Sequence, residues 1–350
     1  RRPAVAADRP SRGRRPAGLF ARRQPAALDG EPRWRGRAAT DESAVCQPAR
    51  SRRDRCRPAS RCQRTSDCRG STTVTASPPA AAATVAILGA GQMGRALAVG
   101  CCRDGTIPPA AIIAFDPAAE ARTELARQIP GVGFAPSAAE AAAAARLVIL
   151  AIKPQQAVSV CRDLAPALRP NAVVLSIVAG LPIATVAAAT GTDRVVRAMP
   201  NTPCLVGRGV SAVSAAAAVG REDVETILRL LAAVGRVHEV PEAHFDAVTA
   251  VSGSGPGYVS LLIEALADGG VRAGLPRSLA QALAVETFAG TAALIELTGD
   301  HPAVIRDRVS SPGGTTIAGL TALEHAGVRA ALSDAVAAAA VRAAELAGKS

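Results

Sequence analysis

The chain has 350 residues, enough for two domains and a substantial core. Its formal charge of +11 first suggests a polyanionic partner, but the excess is local: residues 1–80 carry 19 Arg against 7 Asp and Glu, which leaves 21 basic and 22 acidic residues over 81–350. The part with folding potential is therefore near neutral, which argues against a catalytic domain built to bind nucleic acid.

Residues 1–80 are rich in Arg, Pro and Ala and show no regular apolar period, so they are expected to be a disordered basic extension ending near residue 81. A transit-type leader and an upstream stretch carried into the sequence both remain open for it, and it holds no apolar signal-peptide core. Eight cysteines divide evenly between this extension (Cys46, Cys56, Cys62, Cys68) and the rest (Cys101, Cys102, Cys161, Cys204). None has zinc-site or disulfide-framework spacing, so no metal is expected and a reducing, cytoplasmic location is.

In chain order, Thr84–Leu88 reads as a buried parallel strand running into Gly89-Ala90-Gly91-Gln92-Met93-Gly94, with a helix from Arg95 to about Arg103. Ile112–Phe115 is a second strand ending at Asp116, followed by a helix over roughly 118–128. Leu147–Ile152, Val173–Val178 and Val195–Met199 are further strands, with helical segments between them. This alternation predicts a Rossmann-type doubly wound parallel sheet over 82–241. Val224, Ile227, Leu228, Leu231 and Val234 mark one more amphipathic helix. Beyond about Pro241 the texture is helical, so 242–350 is predicted to be an all-helical domain. Its Ser278–Ile295 run has Glu286 as the sole charge. That length approaches a membrane span, but the polar interruptions favour a helix buried in a protein interface, and the domain is expected to dimerise.

Two constellations carry chemistry. The first is G-x-G-x-x-G between a strand and a helix, with an acidic residue at the end of the next strand. Gly89 permits the tight turn, Gly91 lets backbone approach a pyrophosphate, and Gly94 lets the helix pack on the sheet. Asp116 is read either as the ligand of a ribose 2′-hydroxyl, favouring NAD, or as a helix cap. Lys153, one of only two lysines, and Pro154 lie at the carboxyl end of a strand. They line a cofactor cleft or form an ordinary loop. Val178-Ala179-Gly180 and Met199–Pro203 end the next two strands.

The second is Ser310-Ser311-Pro312-Gly313-Gly314-Thr315-Thr316, a hydroxyl-rich turn leading into a helix near Ile317. Pro312 suits a first helical turn, and the two glycines leave amides bare for a small anion. Ser252-Gly253-Ser254-Gly255-Pro256-Gly257-Tyr258 serves either close helix approach or a substrate pocket.

From about Val85 to Leu346 these motifs, in order and spacing, resemble the pyrroline-5-carboxylate reductase family. The markers are Ile87–Gly94, Ile152-Lys153-Pro154, Arg197–Pro203, Val251–Pro256 and Ser310–Thr316. The resemblance implies NADPH- or NADH-dependent reduction of 1-pyrroline-5-carboxylate to L-proline, the last step of proline synthesis. It implies that Ser311, Gly313, Gly314 and Thr315 hold the substrate carboxylate and that Thr316, the catalytic candidate, bonds the ring nitrogen. It implies cofactor contacts at Gly89, Gly91, Gln92, Met93, Gly94, Lys153, Pro154, Ala179 and Gly180, and an interlocked homodimer that can assemble further into rings. Asp116 departs from the Ser, Thr or Arg usual near that position, which sets the common NADPH preference against NADH here. Gly257 stands where alanine is common. Neither a nucleic acid nor a membrane is implied as partner. Two alternatives stay open: another imine or hydroxyacid reductase of this architecture, and a non-catalytic nucleotide-binding oligomer. The hydroxyacid enzymes usually carry a lysine on the long helix, and none occurs between Lys153 and Lys349.

Overall fold

A computed structural model of the chain describes residues 85–348. The predicted disorder of the basic extension, its four cysteines and Lys349 lie outside the described residues.

The nucleotide-binding half opens with β1 (Val85–Leu88), α1 (Gln92–Arg103), β2 (Ile112–Phe115), α2 (Ala119–Gln128) and β3 (Gly133–Phe134). It continues through α3 (Ala138–Ala144), β4 (Leu147–Leu150), α4 (Pro154–Leu164), β5 (Val173–Ser176), α5 (Ile183–Thr190) and β6 (Val195–Met199). β7 (Gly209–Ala215), α6 (Arg221–Ala232) and β8 (Gly235–Glu239) complete it. The strands form one eight-stranded sheet in the order β3-β2-β1-β4-β5-β6-β7-β8. The first six are parallel, as the βα alternation predicts. β7 departs from that pattern: it runs antiparallel to β6, pairing Arg197 with Ser214 and Ala198 with Val213, and β8 then lies parallel to β7.

β1, β4 and β5 are buried along their whole length. Their nearly continuous aliphatic runs, broken only by Ser176 in β5, follow from helices covering both faces of the sheet. Ile87, Ile149 and Leu175 point to one layer with Leu97, Ile227 and Leu230; Leu88, Val148 and Leu150 point to the other with Leu164, Leu181 and Val186. β4 and β5 end two residues earlier than their apolar runs, since Ala151, Ile152, Ile177 and Val178 already belong to the loops.

The helical half comprises α7 (Phe245–Val248), a π-helical turn (Thr249–Gly253), α8 (Gly255–Arg272), α9 (Arg277–Thr298), α10 (Pro302–Arg308), α11 (Thr315–His325) and α12 (Val328–Gly348). α8 and α9 form a hairpin, and α12 returns across α7 and the π turn. α10 begins at His301, whose Nδ1 accepts from the Ala303 amide at 3.2 Å, so this histidine is a helix cap.

α9 is long and apolar enough to span a membrane by length and composition, yet only Ala280 and Ala284 along it are buried. Leu279, Leu283, Val285, Leu294 and Leu297 stand exposed on it, and Leu261 and Leu266 on α8. Each forgoes part of the roughly 1.5–3 kcal/mol that full burial of such a side chain contributes. With α11 and the start of α12, the hairpin walls an apolar groove of about 1130 Å³.

Cys101, Cys102, Cys161 and Cys204 are free thiols. Burial, with Asp104 nearby, pushes the Cys101 thiol up to about 12, and burial pushes Cys161 up to about 11. Both therefore stay protonated and inert at physiological pH. Iodoacetamide applied to the native protein at pH 8 is expected to modify neither. Peptide mass spectrometry checks this, and labelling of Cys101 or Cys161 before unfolding contradicts it.

Candidate active site

The crossover between β1 and β4 makes a topological switch point, and the carboxyl ends of the strands converge there. The Gly89–Gly94 turn follows β1, Asp116 follows β2, and Lys153-Pro154 follows β4. Ala179-Gly180 follows β5, and Pro200-Asn201 follows β6. The predicted cofactor residues thus share one edge of the sheet.

The glycine turn is fastened on three sides. The Gly89 amide donates to Phe115 O at 2.8 Å, the Ala90 amide to Asp116 Oδ2 at 2.7 Å, and the Ala151 amide to Leu88 O at 2.8 Å. Gly89 has φ +104°, and a Cβ there would lie 2.3 Å from Ala151 O. A Cβ on Gly94 would lie 2.1 Å from Gly89 O, whereas one on Gly91 would meet nothing within 4 Å. The first and third glycines are thus needed by the protein itself, while the second faces open space. α1 starts at Gly91 with no side-chain cap and no acid in its first turn, which leaves its amides and positive end for an anion. Gly91 and Gln92 are exposed and Met93 is half-buried. These features fit a dinucleotide pyrophosphate.

Asp116 fastens two backbone segments at once. Its Oδ1 accepts from the Ala118 amide at 2.9 Å at the entrance to α2, while Oδ2 holds the glycine turn. Arg122 donates from Nη1 to Asp116 O at 2.5 Å and to Pro117 O at 3.1 Å, so a guanidinium lies over the same corner. Lys153 is the exposed N-cap residue of α4 with Pro154 in the first turn, and its ammonium makes no ion pair among the described residues. Gly180 has φ +71°, and its backbone meets the last turn of α12: Leu346 Cβ lies 3.4 Å from where its own Cβ would be.

The Ser311–Thr316 segment lies in the helical half. Gly314 N donates to Ser311 O at 3.0 Å, and Gly313 takes φ +66°, so these residues form a tight turn. Pro312 belongs to that turn and not to the helix, because α11 begins only at Thr315. A proline at 312 fixes the turn instead of starting the helix. The first backbone bond of α11 runs from Ala318 N to Gly314 O at 3.3 Å, so the amides of Thr315, Thr316 and Ile317 point out of the helix end, unpaired among the described residues. The hydroxyls of Ser311, Thr315 and Thr316 make no hydrogen bond among the described residues. The segment is exposed apart from half-buried Gly314 and Thr316, and Thr315 lines the apolar groove. Within one chain no hydrogen bond joins this turn to the glycine turn.

Two functional-looking side chains escaped the sequence reading as individual residues. Arg197 is buried in β6, with its guanidinium 4.5 Å over the Phe245 ring and 3.0 Å from Glu242 Oε1. The same Glu242 oxygen accepts from the Ile183 amide at 2.8 Å and so caps α5. Asn201 is also buried and bonds two separate segments. A charged residue inside an apolar strand and an Asn after Met-Pro were the available signals.

Comparison with known proteins agrees with this geometry. A family model for pyrroline-5-carboxylate reductase dimerisation matches residues 242–346, and one described as NADP oxidoreductase, coenzyme F420-dependent, matches 84–180. The pyrroline-5-carboxylate reductase of Synechocystis is 46% identical over 264 residues, spanning 75% of this chain and 98% of the relative. That of Glycine max is 41% identical, spanning 77% and 97%.

The chain belongs to the pyrroline-5-carboxylate reductase family.

Among solved structures, the Plasmodium falciparum pyrroline carboxylate reductase with NADP bound matches with a TM-score of 0.69 at 31% identity, covering 75% of this chain and 98% of that one. The Coxiella burnetii pyrroline-5-carboxylate reductase matches with a TM-score of 0.71 at 30% identity, covering 76% and 98%. As a pyrroline-5-carboxylate reductase, the chain is an NAD(P)H-dependent oxidoreductase acting on the C=N bond of a cyclic imine.

Proposed function

We propose that the Ser311–Thr316 turn is the substrate cradle of this reductase and that it works against the nucleotide edge of a partner copy. The observation that carries this reading is the outward-facing set of first-turn amides on α11, with three hydroxyls that have no partner of their own among the described residues. Amides at a helix start attract a carboxylate. Ser311, Gly313, Gly314 and Thr315 hold the substrate's acid group, and Thr316 directs its hydroxyl at the ring nitrogen. Gly89, Gly91, Gln92, Met93, Gly94, Asp116, Lys153, Pro154, Ala179 and Gly180 hold the dinucleotide. We set the functional division at 241/242, a reading supported by the dimerisation family model's match over 242–346.

Thr315 borders the groove along the α8–α9 hairpin, whose bare leucines require a covering chain. A second copy placed there buries that surface and brings the cradle to a nucleotide edge. A homodimer is thus the working unit in this reading. The free thiols are in keeping with a reducing cytoplasm.

NAD(P)H supplies the hydride when bound. The protein's task is then to fix the imine carbon beside the donor and to exclude other orientations. A protonated imine already accepts hydride readily, so no strong acid is required. His301 fits this, since it is engaged as the cap of α10. Alignment of two bound reactants supplies much of the rate.

The test is direct: purified protein is mixed with pyrroline-5-carboxylate and either NADPH or NADH, and the loss of nicotinamide absorbance is followed. Absorbance loss with proline formation is expected, and neither cofactor being consumed overturns the reading. The Asp116 corner sets the ratio between the two. Asp116→Asn keeps an oxygen for the Ala90 amide, gives up the bond from the Ala118 amide, and removes the charge that repels a 2′-phosphate, beside the Arg122 guanidinium. Its ratio of kcat/KM for NADPH to that for NADH is expected to rise roughly tenfold, on the order of one charge interaction near a surface. An unchanged ratio means that Asp116 serves only to fasten the turns.

A further inference from the structure

The π-helical turn at Thr249–Gly253 leaves a gap in its own hydrogen bonding. The natural donor to Ser252 O four residues on is Pro256, which has no N–H. The next amide, Gly257 N, is already committed to Ser254 O at 2.9 Å. Ser252 O accepts instead from Asn201 Nδ2 at 3.0 Å. On its other side Asn201 Oδ1 accepts from Val210 N at 2.8 Å, at the second residue of β7. Asn201 is 8% exposed, so both bonds are shielded from water. Beside this bridge Gly253 meets Met199: a Cβ on that glycine would lie 2.7 Å from the Met199 methyl. The loop after β6 and the turn into α8 are therefore fitted to each other by two adjacent contacts. Each has its reason in the sequence, a proline that withholds a donor and a glycine that withholds a side chain.

We propose that Asn201 is a positioning residue for hydride transfer, tying the nucleotide-binding sheet at the end of β6 to the start of the helical half. The loop it anchors lies on the same sheet edge as Ala179-Gly180, and the turn it holds feeds α8 and carries α12. The bridge thus fixes the angle between the half that binds dinucleotide and the half that carries the Ser311–Thr316 turn. It rests on the family's reaction and on the cradle of one copy having to meet the nucleotide edge of the other, which the angle within each chain sets, and not on which hydroxyl touches the imine. The wild-type assay above tests that reaction separately.

Asn201→Ala removes both bonds, and Asn201→Asp keeps only the acceptor for Val210. In each variant kcat is expected to fall on the order of 10-fold to 100-fold, as for a misplacement of about 1 Å. The Kd of NADPH, read by its fluorescence in the absence of substrate, is expected to stay within about threefold. The separating experiment is the double variant Asn201→Ala/Pro256→Ala. Its new amide at 256 gives Ser252 O a donor from within the helix. Thermal stability is expected to recover while kcat remains low, because the tie that Asn201 makes between the halves is still missing. Recovery of kcat together with stability overturns the proposal, since Asn201 would then merely satisfy a carbonyl. A loss of NADPH affinity in step with kcat overturns it as well. Should Asn201→Ala alone fail to fold, Asn201→Asp and the double variant carry the same readings.

Discussion

Alanine at Gly94 is expected to cost the protein both its nucleotide and part of its stability, while alanine at Gly91, three residues away, costs only the nucleotide. The contrast follows from what each new methyl meets. At Gly94 the Cβ would lie 2.1 Å from Gly89 O and 3.2 Å from Ala151 Cβ, so a backbone turn has to move. That turn cannot yield cheaply, because Gly89 and Ala90 are bonded to Phe115 O and Asp116 Oδ2. Overpacking of this kind costs about 1–3 kcal/mol, and a mid-range value lowers Tm by roughly 4–8 °C in a domain of this size. At Gly91 the methyl enters open space, so Tm is expected to hold within about a degree. That space is the approach a pyrophosphate needs, and NADPH affinity is expected to fall at least roughly tenfold. Thermal melts and fluorescence titrations of both variants check the pair. A Gly91→Ala protein that binds NADPH normally removes the glycine turn from the nucleotide site.

Thr316→Ala is expected to lower kcat roughly 100-fold with NADPH affinity unchanged. Thr316 is at the second position of α11, half-buried, with a hydroxyl unbound by the described residues. Nothing local depends on that hydroxyl, so its loss should leave the fold intact. Groups that stabilise charge or a proton at the reacting atom typically contribute factors of about 10²–10³. Thr316→Ser, which keeps the hydroxyl, is expected to recover most of the rate. Steady-state kinetics with separately measured NADPH binding decide the matter. Equal losses in binding and turnover would place Thr316 on the nucleotide instead of the imine.

The parallel half of the sheet was legible because β1 and β4 are uninterrupted aliphatic runs, and β5 one broken only by Ser176, buried on both faces. β7 and β8 were not. β7 reads Gly-Val-Ser-Ala-Val-Ser-Ala, too small and mixed for strand propensity, and it is held by pairing with β6. β8 carries Arg, His and Glu on an edge, where one face needs no apolar residues. β3 has only two residues, below any periodic signal. In the site, the glycine fingerprint and the Ser311–Thr316 turn could be read directly, since glycine and hydroxyl residues announce bare amides. The register of α11 could not. Pro312 is equally at home in a turn or a first helical turn, and only the Gly314 N to Ser311 O bond distinguishes them. Asn201 was silent for another reason. Its role depends on a carbonyl 51 residues away whose usual donor is a proline.

The last turn of α12 rests against Gly180, with Ala347 N 3.6 Å from the position of its Cβ. Whatever is joined beyond that helix therefore starts beside Gly180, one of the residues proposed to hold the dinucleotide. A purification handle placed there sits next to a proposed cofactor contact, so binding comparisons between cofactors should be made after it has been cleaved away.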